Sequence, residues 1–387
     1  MRERGLQPKE FELTADRSAR QAELYRSCGI TVEGVRKIVR ERMDKVEGKR
    51  GEKYWYVGWE DKEAVYTGSS DSLVKLWETA DVGNKRVLTV GGSGEFSQIF
   101  IDKQAEAVDI LDVSMAGCFF NELKLVAAKE LSYEQYIAMF NVVPAVLDGK
   151  DWWEADYLPP MFDVNFYTLV REFLTPQART YFDLVIGEDH TELFVPDKND
   201  AFSSSGGPVR YRRSHGIDDF KQSVPFLKNQ EQYEHLQTQL RNTTSSIFHG
   251  DITDPHSVSF GQYDYVYMSN VGYGRPTLDI AKSIVHRGAK RVGFAFRVSD
   301  IFYESRSEYI DLNGRVYSSY EEARAVYPDA MNFIQSVDRL CKIGWKEDSL
   351  GVALNKTVPL GEGIVFTWKF KDKSADYGSY GEVSMEK

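Results

Sequence analysis

Residues 86–101 read RVLTVGGSGEFSQIFI, with glycines placed where backbone can be brought against a small ligand. A GxGxxG turn between a strand and a helix cradles a dinucleotide, because main-chain N–H groups and the positive helix end approach its pyrophosphate. Gly92 and Gly94 fit the first two glycines, but Ser97 occupies the third position. Glu95 falls at the start of the following helix, where a carboxylate competes with phosphate for the helix end and repels it. S-adenosylmethionine carries no phosphate, and its sulfonium and ammonium groups tolerate an acidic neighbour. The turn Gly91, Gly92, Ser93, Gly94, Glu95 is therefore expected to hold S-adenosylmethionine as a co-substrate rather than a nicotinamide dinucleotide.

Further polar strand ends follow. Asp112, with Val113 beside it, ends the next predicted strand 18 residues past Gly94. That is close to the ~20-residue spacing at which an acid accepts hydrogen bonds from ribose hydroxyls. In FHGDI, Asp251 and Ile252 follow a third strand, where the ligand crevice of a doubly wound sheet lies. Asp251 there would accept a hydrogen bond from the adenine amino group. SNVGYG brings Ser269, Asn270 and Tyr273 to the same edge. Each residue also has a plain structural reading: the glycines as a tight turn, the aspartates as helix caps, Tyr273 as a packed loop aromatic.

Other chemistries find less support. HGDITDPH holds His249, Asp251, Asp254 and His256, but turn-forming and capping residues account for it better than a metal site, and no metal is expected. GGSGE lacks the spacing of a GxSxG nucleophile elbow. Walker and HExxH motifs are missing from the sequence.

The totals narrow the setting. The 387 residues carry 48 basic and 59 acidic side chains, a net charge of −11. Acidic chains are repelled by phosphate backbones and anionic lipid, so neither nucleic acid nor stable membrane association is expected. Cys28, Cys118 and Cys341 are odd in number and far apart, which suits reduced thiols in a cytoplasmic protein. No apolar run approaches the ~20 residues of a membrane span, and the charged start is no secretory signal. The oligomeric state stays open.

These residues need elements to position them. Residues 1–80 are expected to form an N-terminal helical and aromatic cap, in which YWYVGWEDKEAVY holds Tyr54, Trp55, Tyr56, Trp59 and Tyr66 in a short stretch that reads as a buried packing element, with a flap over a ligand as the alternative. RVLTV and EAVDILDVS read as buried parallel strands in a first half at 81–145, followed by a helix with Leu123, Val126, Ala127 and Leu131 on one face. A mainly helical insertion with a mobile loop, AFSSSGGPVRYRRSHG, spans 146–242. SSIFHGDI, YDYVYMSNV, KRVGFAFRV and GIVFTWKFK read as strands of a second half at 243–372, with helices at TLDIAKSIVHRGA and SYEEARAVYPDAMNFIQSVDRL. Residues 373–387 are polar and expected to be a flexible tail. Alternating strand and helix predicts an α/β protein with a parallel sheet.

VLTVGGSGEFSQIF, followed by VDILDVSMAGCFFNELKLVAAKELSYEQYIAMF, resembles the betaine-lipid synthase family and its relatives, which move the 3-amino-3-carboxypropyl group of S-adenosylmethionine. The likeness covers roughly residues 55–145 and 243–297 and includes the spacing from Asp112 to Lys124 and the SN after YDYVYM. Where family members carry Asn-Pro and then Gln after the ribose acid, this chain has Val113-Ser114-Met115-Ala116-Gly117. It also shows no cationic amphipathic helix for a lipid acceptor. The resemblance implies a Rossmann-like class I S-adenosylmethionine-binding fold. Its mostly parallel seven-stranded sheet would follow an N-terminal helical region and carry the insertion between its second and third strands. It further implies attack at the methionine Cγ with release of methylthioadenosine, Asn270 and Tyr273 orienting the methionine amine or the acceptor. The acceptor is then a separate small molecule, or none if the methionine amine closes an azetidine ring. A small-molecule methyltransferase, which shares every cofactor residue, and a non-catalytic binding protein of the same fold remain as alternatives.

Overall fold

The computed structural model describes residues 8–47, 65–66, 73–140, 162–186, 209–210, 221–254, 256–269, 271, 275–296, short stretches between 303 and 325, 357–370 and 379–385. Most of the aromatic stretch, most of the 201–216 loop and most of the helix expected at 319–340 lie outside them. Contacts divide the chain into two compact units, one of residues 1–74 with 89–257, the other of 75–88 with 258–387.

The first unit opens with helices α1 (Pro8–Ser27) and α2 (Val32–Glu47), joined at Gly29, whose φ of 80° suits only a residue without Cβ. The short helix α3 (Leu73–Thr79) and the first sheet strand, β1 (Arg86–Val90), follow, and most of both belongs to the 75–88 segment of the second unit. After the glycine turn come α4 (Glu95–Asp102), β2 (Ala107–Asp112), α5 (Met115–Glu130) and α6 (Tyr133–Phe140). The insertion supplies α7 (Val164–Val170), α8 (Pro176–Ile186) and α9 (Gln230–Asn242), after which β3 (Thr244–His249) returns to the sheet. β3 pairs with β2 in parallel, from Ala107 opposite Thr244 to Asp112 opposite His249. Val108, Ile110 and Leu111 are all buried, and Asp109 between them is buried as well, as in a strand covered on both faces.

β3 is an edge strand, and α1 closes it. The Gln21 side chain donates to the Ile247 carbonyl (2.7 Å) and accepts from the Ile247 N–H (2.9 Å), copying the pairing of a missing neighbour. Arg17 donates to the carbonyls of Leu240 (2.9 Å) and Arg241 (2.7 Å) at the end of α9. The N-terminal helix is thus fixed to the sheet edge by side-chain to main-chain hydrogen bonds, not by burial alone. α5 is sheathed nearly all round, with Cys118, Phe119, Phe120, Leu123 and Ala127 inaccessible.

The second unit contains β4 (Tyr265–Tyr267), α10 (Arg275–His286), β5 (Arg291–Phe296), β6 (Thr357–Gly361), β7 (Ile364–Phe370) and β8 (Ser379–Met385). β4 and β5 pair in parallel, while β5–β8, β8–β7 and β7–β6 are antiparallel. Hydrogen-bonded neighbours run β6-β7-β8-β5-β4-β1-β2-β3. The first five strands in chain order fall as 3-2-1-4-5, the doubly wound order, so the fold is the Rossmann-like α/β class with its helical insertion between second and third strands. Among the described residues the sheet has eight strands, one more than the seven expected, because β6 adds an edge to β7.

The flexible tail is corrected. Residues 379–385 form β8, between β5 and β7, with Tyr380, Glu382 and Val383 buried. Ladders on both sides satisfy its backbone, and its polar composition misled because specific partners receive it. The Tyr380 hydroxyl meets that of Tyr265, and a Cβ on Gly293 would lie 2.7 Å from the Tyr380 Oη. Only a glycine leaves room there.

Candidate functional site

The glycine turn is built by close approach. The Gly91 N–H donates to the Leu111 carbonyl (2.9 Å), joining the end of β1 to β2, and the Gly94 N–H closes the turn onto the Gly91 carbonyl (3.1 Å). Gly92 and Gly94 have φ of 52° and 88°, in the left-handed region that glycine enters freely. A Cβ on Gly91 would overlap Oδ2 of Asp112 and sit 2.7 Å from Nδ2 of Asn121. Ser97, the departure from the third glycine, is buried and donates its hydroxyl to the Gly94 carbonyl (2.9 Å). A small side chain that hydrogen-bonds back to the turn serves there.

Glu95 behaves differently from the expectation. Its carboxylate is buried, accepts from Lys124 Nζ (2.6 Å) and meets the Ser93 hydroxyl. Lys124 is itself inaccessible and lies over the rings of Phe120 (5.2 Å) and Phe140 (5.3 Å). The pair is neutral overall, so the negative charge invoked against a pyrophosphate is cancelled where it arises. Glu95 and Ser93 therefore stabilise the turn from behind, and what argues for a ligand is the backbone in front.

Asp112 is the polar centre of this unit. Its Oδ1 accepts from the Ser114 N–H (2.8 Å). A Cβ on Gly117 would fall 2.6 Å from its Oδ2, so glycines crowd the carboxylate from two sides. Desolvation pushes its pKa up to about 7, opposed by the hydrogen bond from Ser114. Ser114 also caps α5, its hydroxyl accepting from the Gly117 N–H (3.0 Å). Asn121, one turn further along, donates Nδ2 to the Gly117 carbonyl (2.8 Å), while its buried Oδ1 has no partner among the described residues. Sequence reasoning missed Asn121. Its only signal was its place four residues after Gly117, on the helix face turned to the glycine turn.

Val113 is exposed, and its carbonyl accepts from Nε2 of His249 (3.0 Å). The Gly250 N–H donates to the Asp112 carbonyl (2.9 Å), extending the β2–β3 ladder past the strand ends. Asp251 lies half-buried in the following turn, its Oδ1 accepting from the Thr253 N–H (2.9 Å) and hydroxyl (2.7 Å). Asp254 accepts likewise from the His256 N–H (2.9 Å). These carboxylates hold the loop as Asx turns. Ile252 is buried. Among the described residues no three His, Cys, Asp or Glu side chains gather as metal ligands, and no helix is long and apolar enough to cross a membrane.

In the second unit Ser269 follows β4 with φ of 54°, a non-glycine residue in the left-handed region, and its carbonyl accepts from the Ala295 N–H (3.0 Å). Such backbone strain persists where the surroundings over-determine it. Asn270 and Tyr273 lie outside the described residues.

The fold and these strand ends define an α/β protein of the Rossmann-like class. No family model matches the sequence, and no curated protein matches it. Two solved structures of the rRNA methyltransferase aviRa from Streptomyces viridochromogenes are similar at 11% identity. They cover 58% of this chain and 69% and 70% of their own, with TM-scores of 0.27 and 0.28.

Proposed function

We propose that this chain is an S-adenosylmethionine-dependent transferase that moves the 3-amino-3-carboxypropyl group to a small-molecule acceptor or closes it on itself. The observation that carries the nucleoside reading is the Asp112 carboxylate at the carboxyl end of β2, seated against two glycines beside a turn with two left-handed residues. A carboxylate so placed accepts from paired ribose hydroxyls, and the glycines admit the ligand backbone-close. The unpartnered Asn121 oxygen beside the same turn fits a site built to receive donors.

When bound, the sulfonium supplies an activated carbon on each of its three arms. The residues of this chain would hold the ribose at Asp112 and pack main chain from Gly91 to Gly94 against the ligand. They thereby fix which carbon faces the nucleophile, and positioning decides the reaction. The resemblance favours Cγ of the methionine arm. A bond forms between nucleophile and Cγ, the Cγ–S bond breaks, its electron pair leaves with methylthioadenosine, and an amine nucleophile sheds its proton to solvent or a base. Asn270 and Tyr273 are the proposed orienting residues for that amine or for the acceptor.

Incubation of the protein with S-adenosylmethionine alone, followed by mass analysis of products, tests the reading. Methylthioadenosine with azetidine-2-carboxylate would identify cyclisation. Methylthioadenosine released only on addition of a cell extract would identify a separate acceptor. S-adenosylhomocysteine would replace the proposal by methyl transfer, and no binding of S-adenosylmethionine or its products would replace it by a non-catalytic role.

A further inference from the structure

A cavity of about 220 Å³ opens where the α1–α2 turn meets the carboxyl ends of β2 and β3. Ile30, Val35 and Ile38 line it from the N-terminal helices, and Val113, Met115 and His249 from the strand ends. It is smaller than the roughly 300 Å³ at which drug-sized ligands begin, so it suits one flat ring system rather than a whole nucleoside. Val113 and Ser114, both in its wall, follow Asp112 directly. The cavity wall thus continues directly from the strand end that carries Asp112.

His249 gives the cavity a directional polar group. The Val113 carbonyl can only accept, so Nε2 of His249 carries the proton of their 3.0 Å hydrogen bond. In the neutral ring Nδ1 is then an acceptor. An acceptor there welcomes the exocyclic amino group of a 6-aminopurine and opposes the carbonyl of a 6-oxopurine. Asp251, the residue first expected to read that amino group, has its Oδ1 occupied by Thr253.

We propose, resting on the adenosyl-ligand reading, that this cavity is a purine pocket whose outer wall is the α1–α2 turn and whose selector is His249. The N-terminal helices are then part of the ligand site, and the hydrogen bonds that tie α1 to the sheet edge through Gln21 and to the end of α9 through Arg17 keep that wall in place.

Cys28, half-buried in the wall of the same cavity, serves as the reporter. Its alkylation by iodoacetamide is followed by peptide mass analysis with and without 5′-methylthioadenosine, or its 6-oxo analogue 5′-methylthioinosine. Binding of both is measured by calorimetry. The expected result is at least tenfold slower alkylation with methylthioadenosine and about tenfold weaker binding of the 6-oxo compound, the scale at which an unpaired buried polar group discriminates. His249→Phe should bring the two affinities within about twofold of each other, and Ile38→Trp, filling the cavity, should weaken both. Methylthioadenosine that binds while Cys28 reacts at its unliganded rate, or a His249→Phe protein that still discriminates, would overturn the pocket and leave the adenosyl reading standing. Absence of calorimetric binding by every adenosyl compound would overturn both.

Discussion

Gly91 and Asp112 are packed so closely that a single methyl group on the glycine would occupy the space of the aspartate Oδ2. The contact joins the carboxyl ends of β1 and β2, and it fixes the carboxylate independently of any ligand. Gly91→Ala should therefore displace Asp112, lower the melting temperature and weaken binding of methylthioadenosine at least tenfold, about 1.4 kcal/mol. Calorimetry on the folded variant checks it. Unchanged affinity would mean the carboxylate position is irrelevant to the ligand.

Asp112 itself makes a sharper forecast. Ribose hydroxyls donate, so the ionised form binds them best, and a carboxyl at about 7 is only half ionised at neutral pH. Affinity should rise roughly tenfold from pH 6 to pH 8, following the ionised fraction, with proton release on binding near pH 7. Asp112→Asn should flatten the profile. Asp112→Ala should cost about 1.5–3 kcal/mol of binding, the value of a charged hydrogen bond. Titrations across pH in two buffers of different ionisation enthalpy separate these outcomes.

Why the strands at 86–90, 107–112, 244–249, 265–267, 291–296 and 364–370 were legible is plain from their make-up: each shows an apolar core bounded by glycine, charge or an amide. Burial on both faces produces such runs in 86–90 and 265–267, whereas in the edge strand at 244–249 only Ile247 is buried and the turn residues after it mark the strand's end. β8 was not legible, because SYGEVSM lacks that signature and owes its place to partners far away in sequence. Glu95 was located correctly as the first residue of α4, yet its role depended on Lys124, 29 residues on and on another helix. Sequence spacing shows which residues share one helix face, and α4 and α5 are different helices. Asp112 was legible because a strand end and the following cap are both local features. Asn121 and His249 acquire meaning only from what the fold places opposite them.

The Glu95–Lys124 pair can be tested without any ligand. Removing one member of a buried pair leaves the other charge uncompensated, at a cost of about 3–5 kcal/mol. Lys124→Met alone should be strongly destabilised, and the double variant Glu95→Gln with Lys124→Met should recover much of the loss. Denaturant unfolding of the four proteins in this cycle measures the coupling. A double variant no better than the worse single one would show that Ser93 and the rings, rather than the charge pairing, set the energetics of the turn.

Glu122 links pH to stability in this chain. It is buried and accepts from the Thr175 N–H (2.5 Å) and hydroxyl (3.0 Å), with the Tyr25 hydroxyl also bonded to it. Desolvation is the largest influence and lifts it to about 7, against those hydrogen bonds. A carboxyl raised from 4.5 to about 7 on folding binds its proton more tightly in the native state. Stability is then highest below about pH 4.5, falls as pH rises toward 7 and levels beyond it. Asp112 acts in the same direction. Each group changes stability by at most about 1.4 kcal/mol per pH unit within that window. The unliganded protein should melt on the order of 5 °C lower at pH 7.5 than at pH 5. Glu122→Gln should shrink that difference, because the amide keeps the shape and carries no titrating proton. A melting temperature that stays level or rises over this range would mean that Thr175 and Tyr25 hold Glu122 ionised in the folded chain.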